Sequence, residues 1–199
     1  MKKIITLLAI VAFFFAGASE ASAQISVGAG SGSRAYLFTD ADGLTVIGSA
    51  PTVSVDFEAN FRLTKHFGLS VGADLAGVVG YHFMKDNTKN LGEIYFNVPV
   101  RAKLYIPIGS NVALYVFAGP VASLDCLSVD AHAAGSTDNF KTRPTLTRFD
   151  VMLGGGLGVE VIKHIRATVG YDYGLLDRDT NPNVSIHTGV LKVAAYYMF

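Results

Sequence analysis

The chain has 199 residues, half of them hydrophobic, with 21 glycines, one cysteine, and 16 basic against 16 acidic side chains. Neutral balance removes the broad electrostatic case for nucleic-acid binding or a polybasic membrane patch, and a single Cys126 excludes an internal disulfide. The length suits one domain, yet the chain is greasier than soluble domains usually are.

Met1-Lys2-Lys3 gives a positive start, Ile4 to Ala16 is apolar apart from Thr6, and Ala21-Ser22-Ala23 is a small-residue cleavage site before Gln24. Residues 1–23 therefore read as a secretory signal peptide and residues 24–199 as the exported domain. The apolar run falls short of the roughly 20 residues an anchoring helix needs. No cysteine follows the cleavage site, which argues against a lipoprotein. Removing the leader leaves 14 basic and 15 acidic side chains, still close to neutral. With no second long apolar run, strands are the remaining way to use so much hydrophobic surface.

The chain then alternates between two faces. A first strand is expected from Ile25 to about Thr39, with Arg34 and Tyr36 facing inward in one of two registers. From Val53 to Leu63, Val53, Val55, Phe57, Ala59 and Phe61 alternate with Ser54, Asp56, Glu58, Asn60 and Arg62. The segments Leu69–Phe83, Ile94–Ile106, Phe149–Val161 and Ile165–Tyr173 repeat this contrast. Val112–Leu124 is apolar on both faces, so its register stays open. The last strand places Leu191, Val193, Ala195, Tyr197 and Phe199 on one side and Lys192 on the other. Pro99 and Pro120 cannot donate to a ladder, and a bulge or local distortion is expected at each.

Short connections are expected at Thr64–Phe67, Pro107–Asn111 and Lys163–His164, and longer ones near 40–52, 84–92, 125–147 and 176–187. Three short and four long connections suit an all-β, up-and-down barrel of eight antiparallel transmembrane strands. The short turns would then be periplasmic and the long loops extracellular, with both termini on the periplasmic side.

Charge placement selects a membrane barrel. On the faces read as outward after the first strand there is no Asp, Glu, Lys or Arg. On the opposite faces Asp56, Glu58, Asp74, Asp150, Glu160 and Asp172 match Arg62, Arg101, Lys103, Arg148, Arg166 and Lys192 in number. Soluble barrels have the reverse design. These twelve residues are the expected lumen charge network, packed inside a barrel just wide enough for its own side chains. Aromatic girdles are expected from Tyr81, Phe83, Phe149, Tyr171 and Tyr173 at one end and Phe61, Tyr197 and Phe199 at the other.

Two resemblances add to this reading. Tyr197 and Phe199, closing an alternating carboxy-terminal strand, resemble the signal by which bacterial outer-membrane barrels are recognised and inserted, which implies the barrel assembly machinery as a partner. The stretch Ile94-Tyr-Phe-Asn-Val-Pro-Val-Arg-Ala-Lys-Leu-Tyr105, followed by Ala113-Leu-Tyr-Val-Phe-Ala-Gly-Pro120, resembles the PorT-like outer-membrane beta-barrel domain family. That resemblance implies an eight-stranded barrel in the outer membrane of a Gram-negative bacterium; its motifs are structural and carry no catalytic signature.

The functional expectation is a non-enzymatic anchor in outer-membrane lipid whose loops meet a surface ligand. The alternative is a component of envelope assembly or secretion with a periplasmic partner. A lipid A-modifying hydrolase and a narrow channel rank below both. For the hydrolase, His187 faces outward with Ser185 two residues away, whereas His82 faces inward. His66 and His164 lie in short turns, and His132 sits beside Asp130 in a long loop. Gly154, Gly156 and Gly158 lie within a strand and read as small inward residues instead of a nucleotide loop. Asp177–Asn183 misses the EF-hand spacing, so no metal and no cofactor are expected.

Overall fold

A period-two pattern commits a chain to extended structure, because only there do alternate side chains share a face. The computed structural model describes residues 22–39, 45–79, 91–130, 147–162, 164–178 and 185–199. Within these it forms β1 (Ser22–Thr39), β2 (Thr45–Arg62), β3 (Phe67–Val79), β4 (Leu91–Ile108), β5 (Val112–Asp130), β6 (Phe149–Val161), β7 (Ile165–Gly174) and β8 (Ser185–Met198). Each strand pairs antiparallel with its sequence neighbour, and β8 returns to β1, closing an eight-stranded barrel. Beyond the last paired strand residue, Phe199 N–H donates to the Ile25 carbonyl at 2.9 Å. The expected leader lies outside the described residues except for Ser22 and Ala23, which pair with Arg62 and Phe61 in β1.

Several strands run further than their alternation alone indicates. β2 begins at Thr45 instead of Val53, and β5 continues to Asp130, which moves Asp125 out of an expected loop and into the wall. β1, β2, β4 and β5 have 18, 18, 18 and 19 residues. A tilted spanning strand needs only about 9–11. The excess is at the end of the long connections, on the neighbouring strand pairs β1–β2 and β4–β5. β7, with 10 residues, is the shortest strand.

Both open registers are resolved. β1 turns Arg34 and Tyr36 inward, and β5 turns Tyr115 and Phe117 inward while Leu114 and Val116 face out. The prolines interrupt pairing without shifting it. The β3–β4 ladder skips from Val71–Val100 to Asp74–Asn97, and the β4–β5 ladder from Pro99–Val121 to Ala102–Ala118, each in unchanged register. The one register shift in the β4–β5 ladder falls instead between Ile94 and Tyr95, where Cys126 is the extra residue.

The short connections follow from local chemistry. Thr64 Oγ1 accepts from the Phe67 N–H at 2.9 Å and the His66 N–H at 3.2 Å, folding the chain back between β2 and β3. Gly109 supplies the left-handed conformation (φ 72°) that the β4–β5 turn requires. In the β6–β7 turn that conformation falls on Ile162 (φ 55°), a β-branched residue ill suited to it.

Wall and lumen have opposite chemistry. Val53, Phe57, Leu75, Leu104, Leu157, Val193 and Tyr197 are exposed on the outside, and among the described residues no exposed strand position carries a charge.

Candidate functional site

Alternation sends every second residue of eight strands into one narrow tube, so charges far apart in sequence meet. At the short-turn end, Arg166 (1% exposed) on β7 donates through Nη1 to Glu58 Oε1 at 2.8 Å and through Nη2 to Glu160 Oε1 at 2.9 Å. Lys103 Nζ donates to Glu58 Oε1 and to Asn60 Oδ1, and Arg62 Nη2 donates to Glu160 Oε2 at 3.2 Å. Arg62 also lies over the Tyr105 ring at 4.0 Å, closing this end partly with an aromatic face.

A second group crosses the middle. Lys192 Nζ bridges Asp56 Oδ1 (2.6 Å) and Asp74 Oδ2, two carboxylates that face each other across the β2–β3 ladder. Like charges so placed repel unless a cation sits between them. Arg101 Nη2 donates to Asp172 Oδ1 at 2.5 Å, while its Nη1 donates to the Gly119 and Gly154 carbonyls at 2.5 and 3.2 Å. The guanidinium therefore supplies a donor where the β4–β5 ladder is interrupted at Pro120. Asp150 is held by the Thr188 hydroxyl at 2.5 Å and the Leu176 N–H at 3.4 Å.

The third group, at the long-connection end, was not assigned from the sequence. Tyr36 and Tyr95 hydroxyls both donate to Glu93 Oε2, the second at 2.7 Å. Arg178 Nη1 donates to the Tyr95 hydroxyl at 3.2 Å, and its Nη2 lies 3.6 Å from Asp125 Oδ2. Arg34 is stacked on Tyr95, with Cζ 3.5 Å from the ring centroid. Arg34 and Tyr36 were visible as one of two registers; Glu93, Asp125 and Arg178 lie beside or within expected loops.

Eleven of the twelve expected lumen residues thus stand in the interior. Arg148 does not. It is exposed one residue before β6, at the rim of the wall, where its carbonyl still accepts from the Asp125 N–H at 2.7 Å but its side chain is not held in the lumen. Within the lumen a cavity of about 100 Å³ reaches from Arg34 past Asp74 and Lys192 to Glu58 and Lys103.

Several other candidates are placed. Ser185 Oγ and His187 Nε2 are 3.2 Å apart, and His187 Nδ1 lies 3.2 Å from the Gly174 carbonyl, with the ring stacked on Tyr173. A carbonyl can fix the imidazole tautomer, but it lacks the negative charge that steadies an imidazolium during acyl transfer. His66 Nδ1 and His164 Nδ1 each meet a backbone carbonyl, of Tyr105 and Met198, at 3.1 Å. Gly156 and Gly158 lie beneath the rings of Phe117 and Tyr115 in the lumen. Among the described residues no group of three or more His, Cys, Asp or Glu side chains is placed to hold a metal ion. Tyr81, His82, Phe83 and His132 lie outside the described residues, as does most of Asp177–Asn183.

A closed eight-stranded wall, apolar outside and ionic within, is the arrangement of an outer-membrane barrel, and the sequence matches the outer membrane protein beta-barrel domain over residues 6–199. The chain belongs to that family. It is an eight-stranded protein of the cell outer membrane. Solved structures give the same fold. Neisserial surface protein A (NspA) is 17% identical with a TM-score of 0.50, covering 91% of this chain and 100% of its own. Ail, the attachment invasion locus protein of Yersinia pestis, solved with the heparin analogue sucrose octasulfate, is 15% identical with a TM-score of 0.51 and covers 89% and 99%. The outer membrane enzyme PagL is 12% identical with a TM-score of 0.51 and covers 85% and 97%. No curated protein matches the chain by sequence.

Proposed function

We propose that this family member is a non-enzymatic surface-interaction protein, in which a barrel filled with ion pairs anchors projecting strand ends to the outer membrane. The observation that carries this reading is the excess length of β1–β2 and β4–β5 over what a membrane crossing requires, above a lumen packed with ion pairs. Extra wall at one end adds nothing to anchoring but supplies a presented surface. The short turns and both termini then lie in the periplasm, the leader 1–23 is removed on export, and Tyr197 and Phe199 serve recognition by the assembly machinery.

The PorT-like wording of Ile94–Tyr105 and Ala113–Pro120 favours a second reading, envelope assembly or secretion through the periplasmic turns. Photo-crosslinkers at Ser49, exposed on the outer face of β2, and at Ile162 in native membranes separate the two. Surface macromolecules captured from Ser49 support the first reading; secretion-system or periplasmic proteins captured from Ile162 alone would replace it with the second. In planar bilayers the purified barrel is expected to show no stable open channel, and a steady conductance would contradict the ion-packed lumen. Release of a fatty acid from lipid A by the wild type, lost in His187→Ala, would move the assignment to a hydrolase.

A further inference from the structure

The residues that follow β7 are sorted sharply by burial. Leu175, Leu176 and Asp177 are exposed, whereas Arg178 is 1% exposed. Backbone bonds lay this segment along the starts of β6 and β8. Leu175 N–H donates to the Val151 carbonyl at 2.8 Å, Arg178 N–H donates to the Ile186 carbonyl at 3.0 Å, and the Arg178 carbonyl accepts from the Thr147 N–H at 2.8 Å. Asp177 Oδ1 accepts from the Ile186 N–H at 2.9 Å on the same edge. Only the Arg178 side chain leaves it. Its Nε donates to the Thr147 carbonyl at 3.1 Å, its Nη1 donates to the Tyr95 hydroxyl on β4 at 3.2 Å, and its Nη2 stands 3.6 Å from Asp125 Oδ2 on β5. In a ring of eight strands β4 lies opposite β8, so this one side chain spans the mouth of the barrel.

Tyr95, which Arg178 grips, roofs the lumen cavity. Arg34 stacks beneath its ring, with Cζ 3.5 Å from the centroid, and Arg34 lines the cavity. Tyr36, Ala50, Val78 and Ile186 complete a buried cluster with the ring. We propose that residues 175–178 form a strap that shuts the cavity at the long-connection end, with Arg178 as its latch. The strap is built to release. It rests on strand ends and not within a ladder, its two leucines bury little, and its hold on the far wall is one hydroxyl and one carboxylate. Segments with few buried apolar contacts open locally while the rest of a fold stays paired. The other end of the lumen is closed separately, by Lys103, Glu58, Arg166 and Glu160, and the strap touches none of them. This device is independent of the surface role proposed above, since it needs only the folded barrel.

The test uses the purified full-length barrel in detergent, with Cys126→Ser removing the exposed native thiol and Ser54→Cys as a reporter in the cavity lining. A small charged thiosulfonate is expected to modify the reporter slowly in this parent. Adding Arg178→Ala should raise the rate roughly 10- to 100-fold, the gain in open population that follows loss of a hydrogen bond from a charged group. Tyr95→Phe keeps the ring under Arg34 and removes the hydroxyl that Arg178 grips, so it should also speed modification, and it replaces Arg178→Ala if that variant gives no compact band in unheated gels. Fast modification in the parent would show that nothing shuts this end. A parent-like rate in the folded variant would show that Arg178 is not what shuts it, and either result overturns the proposal.

Discussion

Arg166 shows how a single side chain ties this lumen together. Its guanidinium joins Glu58 on β2 to Glu160 on β6, and Glu58 in turn holds Lys103 on β4. Removing one member of a buried charge set leaves the others uncompensated, at a cost of about 3–5 kcal/mol. Arg166→Met is expected to lose about that much, read as a lower urea midpoint for the barrel in lipid vesicles. Ile162 is the opposite case. Its left-handed backbone strains a β-branched side chain that is largely exposed. Asparagine tolerates the conformation, so Ile162→Asn should stabilise the barrel by about 1 kcal/mol in the same assay.

Among the strands, β6 is built to be thin on its inner side. A side chain at Gly156 would meet the Phe117 ring at 2.7 Å and the Val169 carbonyl closer still. Gly156→Val is therefore expected to prevent folding, seen as loss of the compact band in unheated gel electrophoresis. Gly77, on the lipid face with nothing nearer than Val53 at 4.0 Å, should accept the same substitution. Strand by strand, legibility followed the lipid. Where acyl chains demand an apolar exterior, contrast between faces is strong, and Asp56, Glu58, Asp74, Arg101 and Lys192 could be placed by parity alone. Toward the long-connection end the outer face loosens to Ser33, Ser49 and Cys126, and the contrast fades. That is why Asp125 passed for a loop residue and why β2 seemed to begin at Val53. Arg178 had no periodic signal at all, since it follows β7 and folds back into the lumen. Arg148 erred the other way, by extending parity one residue past the end of a strand. The register of β5 needed its partners: Tyr115 and Phe117 go inward because the glycines of β6 leave room for them.

Across the whole molecule, the apolar outer face is far larger than the one small buried cluster of Tyr36, Ala50, Val78, Tyr95 and Ile186 found among the described residues. Leu157 stands mid-strand on the outer face, 59% exposed. Leu157→Arg should cost about 2–4 kcal/mol in a bilayer. Its unfolding midpoint in vesicles would drop, and an unchanged midpoint would mean that this face does not meet acyl chains. The seam between β1 and β8, completed where Phe199 reaches Ile25, has a further consequence. A hoop of strands offers no loose edge from which a denaturant can peel one staple at a time, so rupture must break two ladders together. The protein is therefore expected to resist surfactants at room temperature and to yield on heating, at a rate set by how fast that hoop opens and not by the worth of any one contact within it.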